Sequence, residues 1–294
     1  LSRRPDFREI AGDLLEGLRQ GPADLEFLSG FSIPFASRAI TRILGLPDEM
    51  AGEVGADASA LGLAMGIGSK RFEPVFNAAH DSLAALAVDL AARSRQGKLE
   101  GSFPARLVRA FDESGMDDEQ ELIDLIVISI FGGVDTTRAQ LAFAVALFAD
   151  HPDQWSALRQ DRALIPQAIE EVIRTRPTTT WATRQALESF ELSGVEIEKG
   201  DVLHIFVYAS ARDPAAGGDE AFDITKRRKI QFGFGGGAPN CLGQFVARTD
   251  MAEALNVLVE NWERIDWAGE PEFLPESCNS SPDVVTIRPV CSNP

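Results

Sequence analysis

Cys241 lies in the loop Phe232-Gly-Phe-Gly-Gly-Gly-Ala-Pro-Asn-Cys-Leu-Gly243, which carries five glycines and leads into a predicted helix from about Gln244 to Trp262. Glycine permits backbone conformations and close approaches denied to other residues. Amides at a helix amino terminus favour a thiolate, the form of cysteine that ligates metal. Metal ligation is thus one chemistry open to this loop. Two blander readings fit it as well. A glycine-rich turn before a helix could bind phosphate, although Gly-x-Gly is a weak signal and the usual preceding strand of a βαβ unit is missing. A buried structural cysteine is the other.

A second group with chemical potential is Gly132-Gly-Val-Asp-Thr-Thr137, inside the longest apolar stretch of the chain, Leu122 to Phe148. Paired glycines weaken a helix, and Thr hydroxyls can bond to carbonyls a turn back and open the ladder. Either the helix breaks here and Asp135 caps a second one, or a groove widens beside a ligand with an acid and an alcohol placed to relay protons. Glu171 and Arg174 fall three apart on the predicted helix Ala168–Arg174, which puts them on one face. Glu170 is an equally good helical partner for Arg174, so spacing alone does not choose between them.

These residues need a mainly helical scaffold. From Asp6 to about Leu90 apolar residues recur at three and four, with Ile10, Leu14, Leu15 and Leu18 on one face. The segment Pro34–Leu46 forms another helix, stopped by Gly45 and Pro47. A helix is predicted over Glu73–Ser94, followed by an exposed polar loop from Arg95 to Ser102. Asp124, Asp135, Arg138 and Gln140 interrupt the Leu122–Phe148 stretch, which therefore reads as a buried helix and not as a membrane span. After Pro177 the pattern becomes β: a hairpin turning at Ser193-Gly194, a strand over Val202–Val207, and a last strand over Val284–Ile287. The fold class is mainly α with a small β portion, in one domain over 1–294.

Composition narrows the function. The formal charge is −17 over 294 residues, with a mean hydropathy near zero. Nucleic-acid binding needs clustered cations for phosphate neutralisation, so an acidic chain argues against it and against anionic lipid alike. The three cysteines, Cys241, Cys278 and Cys291, form no CxxC pair, which disfavours structural zinc and fits a reducing cytoplasm. The chain starts Leu1-Ser2-Arg3-Arg4 without Met and reads as a fragment or a processed piece.

Taken in order, four segments resemble the cytochrome P450 family: Gly132–Thr137, Glu171 with Arg174, Arg212-Asp213-Pro214, and Phe234-Gly235-Gly236-Gly237 before Cys241-Leu242-Gly243. The likeness extends from near residue 1 to the final strand and is greatest to the soluble bacterial branch. It implies a cytochrome P450 fold that lacks the amino-terminal helices, and heme b (iron protoporphyrin IX) as cofactor. Cys241 would supply the axial thiolate, which favours O–O cleavage. Phe234, Gly235, Leu242 and Gly243 would surround and tune that sulfur. Asp135 and Thr136 would deliver protons to dioxygen, and Gly132 and Gly133 would admit oxygen and substrate. Glu171 and Arg174 would form a buried structural pair. Arg184 would pair with a haem propionate. Ile130, Val134, Thr137, Thr178, Thr179, Thr180 and Trp181 would line a pocket for a small apolar substrate.

The resemblance further implies a monooxygenase fed by a ferredoxin or similar donor, since the chain has no flavin or iron–sulfur motif. The basic run Lys226-Arg227-Arg228-Lys229 could dock an acidic donor, or be a solvated charge run. Departures from the family pattern are Pro239 and Gln231, where basic propionate partners are usual, and Ala211 before Arg212. The alternatives are non-hydroxylating oxidation on the same fold and an inactive haem-binding fragment.

Overall fold

The computed structural model describes residues 3–64, 69–228, 232–237, 240–273 and 279–291. The amino-terminal third is helical. α1 (Arg4–Leu18) starts with Pro5 in its first turn and buries Phe7, Ile10, Ala11 and Leu15. A single π-helical turn at Leu28–Ser32 runs into α2 (Ile33–Leu44), which ends where Gly45 takes a left-handed φ of 76°. That stop is conformational and steric, since a Cβ on Gly45 would stand 3.1 Å from Ser102 Cβ. α3 (Ala51–Leu63), α4 (Ser69–Arg95) and α5 (Phe103–Ser114) complete the group.

α4 begins four residues before the sequence predicts, because Pro74 sits inside the helix and does not open it. The Arg95–Ser102 segment is also less exposed than expected. Leu99 and Ser102 are buried, and Ser102 accepts the Ala105 amide at 3.3 Å as the cap of α5.

α6 (Glu119–Asp150) is one unbroken helix of 32 residues, capped by Asp118. Its first half joins α2 to α5 in one apolar core with Val54, Leu83, Leu122 and Ile126. Its second half enters another core with α1, α7 (Pro152–Gln160), α8 (Ile165–Thr175) and α10 (Gln244–Asn261). Trp155 and Trp262 lie at the centre of that second core, the Trp155 indole N–H donating to Trp262 O at 3.3 Å.

The β structure is small and antiparallel. β2 (Trp181–Gln185) pairs with β5 (Val202–Phe206), and β3 (Phe190–Leu192) with β4 (Val195–Ile197) through a Ser193-Gly194 turn with both φ values positive. The expected strand at Val202–Val207 ends at Phe206, where α9 (Val207–Ser210) begins. A three-stranded sheet in the order β1 (Leu25–Glu26), β9 (Thr286–Cys291), β6 (Trp262–Trp267) ties the chain's two ends together. The strand expected at Val284–Ile287 divides into β8 (Pro282–Val284), paired with β7 (Glu272–Phe273), and β9. Between them Val285 is claimed by the end of β1 and the residue after it: it donates to Glu26 Oε1 at 3.1 Å and accepts from the Phe27 amide at 2.8 Å.

Candidate active site

Cys241 reaches the first turn of α10 on a loop pinned to itself. The Cys241 amide donates to Phe234 O at 2.9 Å and the Gly235 amide to Phe232 O at 2.8 Å. Gly235 and Gly237 hold φ of 82° and 80°, a region that favours glycine. The thiol is exposed. Beside it Leu242 is 90% and Phe245 75% exposed. Apolar side chains of this size in solvent next to an open thiol are the mark of a binding face. Phe234 packs on the second core, and the Arg248 guanidinium lies 4.4 Å over its ring.

On α6 the helix continues through Gly132 and Gly133, so Asp135 does not cap a second helix. Thr136 Oγ1 donates to Gly132 O at 2.6 Å, the back-bond expected of a helical threonine. The two glycines differ in surroundings. A Cβ on Gly132 would meet nothing within 4 Å, whereas one on Gly133 would stand 2.8 Å from Ile40 Cδ1. Gly132 therefore leaves an open face shared with Thr136, and Gly133 lets α2 approach. Val134 and Ile130 are fully enclosed in the first core, and Thr137 is buried as well.

Asp135 is buried and held at both oxygens. Arg138 Nη2 donates to Oδ1 at 2.5 Å and Asn279 Nδ2 to Oδ2 at 3.1 Å. A Cβ on Gly62 of α3 would lie 2.8 Å from Oδ1, so α3 closes a third side. The same Asn279 reaches the segment before β2: Thr179 Oγ1 donates to Asn279 Oδ1 at 3.2 Å, and the Ser280 amide to Thr178 O at 2.6 Å. Thr178 is buried, Thr179, Thr180 and Trp181 are half-buried, and the Trp181 ring stands 6.4 Å from that of Phe206. Arg184 is exposed on β2, with Nη1 donating to Thr183 O at 2.8 Å.

The ambiguity over Arg174 is resolved in favour of Glu171. Arg174 Nε and Nη2 donate to its two oxygens at 2.7 and 2.8 Å, both residues being buried. Arg174 also donates to Asp219 O at 2.9 Å and Ala221 O at 2.6 Å, and Glu171 accepts the Asp223 amide at 3.0 Å. The pair thus fixes the stretch that leads to the cysteine loop. Glu170 pairs instead with Arg248, Nε to Oε1 at 2.5 Å and Nη2 to Oε2 at 3.2 Å.

The basic run is partly spoken for. Arg228 is half-buried, its guanidinium 3.4 Å from Glu171, and also binds Asp219, and Lys226 binds Asp219 at 2.5 Å. Hydrogen bonds from Arg228 first, and then from Lys226, hold the Asp219 carboxyl well below the usual carboxylate range. Arg228 is thus an internal cation and no part of an exposed patch. Arg227 is exposed. Lys229, Gln231 and Pro239 lie outside the described residues.

Sequence reasoning missed three site neighbours. Arg138, at i+3 from Asp135, could have been found by helical spacing. Arg248 stands seven residues after Cys241, on the predicted helix that follows the loop, but nothing in the sequence points it at Phe234. Asn279 is 144 residues from Asp135 and carried no signal.

The family model for cytochrome P450 matches residues 87–276. The chain belongs to the cytochrome P450 family. It is 33% identical over 290 residues to luteothin monooxygenase of Streptomyces thioluteus, covering 97% of this chain and 70% of that protein. Against nocardicin C N-oxygenase of Nocardia uniformis subsp. tsuyamanensis it is 30% identical, covering 92% and 68%. The crystal structure of CalO2 superposes with a TM-score of 0.88 at 27% identity, covering 98% of this chain and 73% of that one. The chain is a mainly helical cytochrome P450 and an oxidoreductase of the monooxygenase type. Among the described residues no helix is long and apolar enough to cross a membrane.

A cytochrome P450 implies a haem-thiolate cofactor, dioxygen, an organic substrate and a redox partner. The residues present fit such a group. Among the described residues no three His, Cys, Asp or Glu side chains gather around a possible ion. A single exposed cysteine sulfur beside apolar side chains suits a metal whose other ligands arrive with a macrocycle. The exposed Leu242 and Phe245 suit the apolar face of that macrocycle, and the exposed Arg184 suits its carboxylates.

Proposed function

We propose that this chain, acting as one domain in the cytoplasm, holds heme b through Cys241 and hydroxylates a small apolar molecule with electrons from a ferredoxin-type donor. The observation that carries the reading is the pairing on α6 of an open glycine face with a hydroxyl and a carboxylate: Gly132, Thr136 and Asp135. When bound, haem supplies the activation of dioxygen; the protein's part is to place substrate and protons. Thr136 offers a hydroxyl whose hydrogen is parked on Gly132 O and whose lone pairs point away from the ladder. Asp135 accepts at both oxygens from Arg138 and Asn279, which hold the carboxylate in place beside Thr136. Thr178 to Trp181 and the Gly132–Thr136 face would line the substrate side.

The donor would approach the groove of about 1220 Å³ whose walls include Arg3, Arg106, Arg227, Arg248 and Phe245. A positive groove on so acidic a chain suits a negatively charged partner. Oxygen insertion at a heteroatom is the second reading, favoured by the N-oxygenase among the relatives.

A carbon-monoxide difference spectrum of the reduced, haem-loaded chain tests the assignment. The Soret band should move to the thiolate-specific position, and a band that stays at the imidazole-type position would sink the reading. In Thr136→Ala the band should persist while peroxide release rises at the expense of product. Coupling equal to the parent's would remove Thr136 from proton delivery.

A further inference from the structure

The Glu170–Arg248 ion pair has no evident purpose as a stabilising element. Both side chains are about one-third exposed, 37% and 32%, and pairs of that exposure contribute ~0–1 kcal/mol. Its geometry is nevertheless tightly specified. Glu170 grips the guanidinium edge with both oxygens, and Gln244 Oε1 accepts from Nη1 at 3.0 Å. With its edge thus occupied, the guanidinium presents its flat face to the ring of Phe234 at 4.4 Å. Phe234 in turn receives the Cys241 amide on its carbonyl at 2.9 Å. One helix (α8), one anion, one cation, one ring and the cysteine amide therefore form a continuous chain of contacts.

We propose that the opposed charges of Glu170 and Arg248, held against the cysteine loop through Phe234, together set the reduction potential of the group Cys241 holds. The inference rests on the haem-thiolate reading above. Reduction adds negative charge at that group, so a nearby cation favours the reduced form and a nearby anion the oxidised form. The two charges of the pair oppose one another. Removing either one alone must shift the potential, and the two removals must shift it in opposite directions. Loosening of a structural contact has no such sign: both removals would free Phe234 and displace the loop in the same sense.

The test is spectroelectrochemical, on the haem-loaded 294-residue chain, and requires no substrate. In Arg248→Gln the midpoint potential should fall, and in Glu170→Gln it should rise. Each shift should change the reduced-to-oxidised ratio at a fixed applied potential by about threefold or more, a tenfold change being ~59 mV for one electron. Arg248→Lys keeps the charge but not the planar stack, and should stay nearer the parent potential than Arg248→Gln. If the glutamine variant at Arg248 fails to retain haem, Glu170→Gln carries the sign test: a rise supports the inference, and a fall or no shift overturns it. Shifts of the same sign, or no shift in either variant, would overturn the inference while leaving the haem-thiolate reading intact. The parent chain's carbon-monoxide spectrum is the control: its failure would overturn that reading, and this inference with it.

Discussion

The amide of Asn279 donates to Asp135 Oδ2 at 3.1 Å across 144 residues of sequence while its own oxygen accepts from Thr179. A single side chain thus touches both the proposed relay acid and the wall of the proposed substrate pocket. Its amide orientation is fixed by chemistry: the oxygen must face the threonine hydroxyl and the nitrogen the carboxylate. Asn279→Ala would free one carboxylate oxygen and loosen the Thr178–Thr180 segment. We expect a loss of ~1–3 kcal/mol in denaturant unfolding, together with more peroxide released per electron pair consumed. Parent-like values of both would show the bridge to be incidental.

Glu171 should be the most sensitive of the structural positions. Its carboxylate faces Arg174, Arg228 and the Asp223 amide in a buried setting. Glu171→Ala would leave the buried Arg174 without its carboxylate, for which ~3–5 kcal/mol of destabilisation is expected. Urea unfolding monitored by far-UV dichroism would measure it. The segment 211–228 would lose its anchor to α8, so haem retention should fall in parallel.

Asp250 predicts a pH dependence. The residue is buried in α10, and burial, opposed only by the Met251 amide, raises its carboxyl well above the ordinary carboxylate value. The unfolded chain gives up that proton near pH ~4, while the native protein keeps it to higher pH. The stability this group allows is therefore complete below the unfolded value and is lost as pH rises toward the native one. Asp250→Asn should melt at a higher temperature than the parent near pH 8 and converge with it near pH 4. Parallel melting curves at the two pH values would refute the assignment.

Gly132 offers a test in which stability and function separate. Its Cβ position is open, so Gly132→Ala should add ~0.5–1 kcal/mol of helix stability. The added methyl would project from the face shared with Thr136. Thermal stability should therefore rise while affinity for carbon monoxide or an azole ligand of the haem falls. A variant that is more stable and binds unchanged would place the ligand face elsewhere on α6.

How much of this was legible in advance depended on the distance over which each signal acts. Helix stops at Gly45, the Ser193-Gly194 turn and the long α6 follow from local preferences, and the structure bears them out. The order of four motifs was sufficient to assign the family. Arg174 could not be given its partner from spacing, because Glu170 and Glu171 both face it at helical distance; Arg248, from another helix, takes Glu170 away. The charge run Lys226–Lys229 read as surface; Lys226 and Arg227 are exposed, but nothing in the sequence reveals Glu171 folding against Arg228. The predicted helix ended at about Trp262, and β6, which starts there, carried no signal, since its pairing with β9 is made by residues some 25 positions downstream. Asn279 illustrates the limit, its partners being set wholly by tertiary contact.

α6 serves as the common wall of two apolar cores, Leu122 to Val134 in one and Leu141 to Phe148 in the other. The Gly132–Asp135 turn lies at the seam. Among the described residues, neither core can surrender this helix without the other losing a boundary. The turn that carries both glycines thus sits where the two cores meet, so the backbone beside Asp135 and Thr136 is braced from either side.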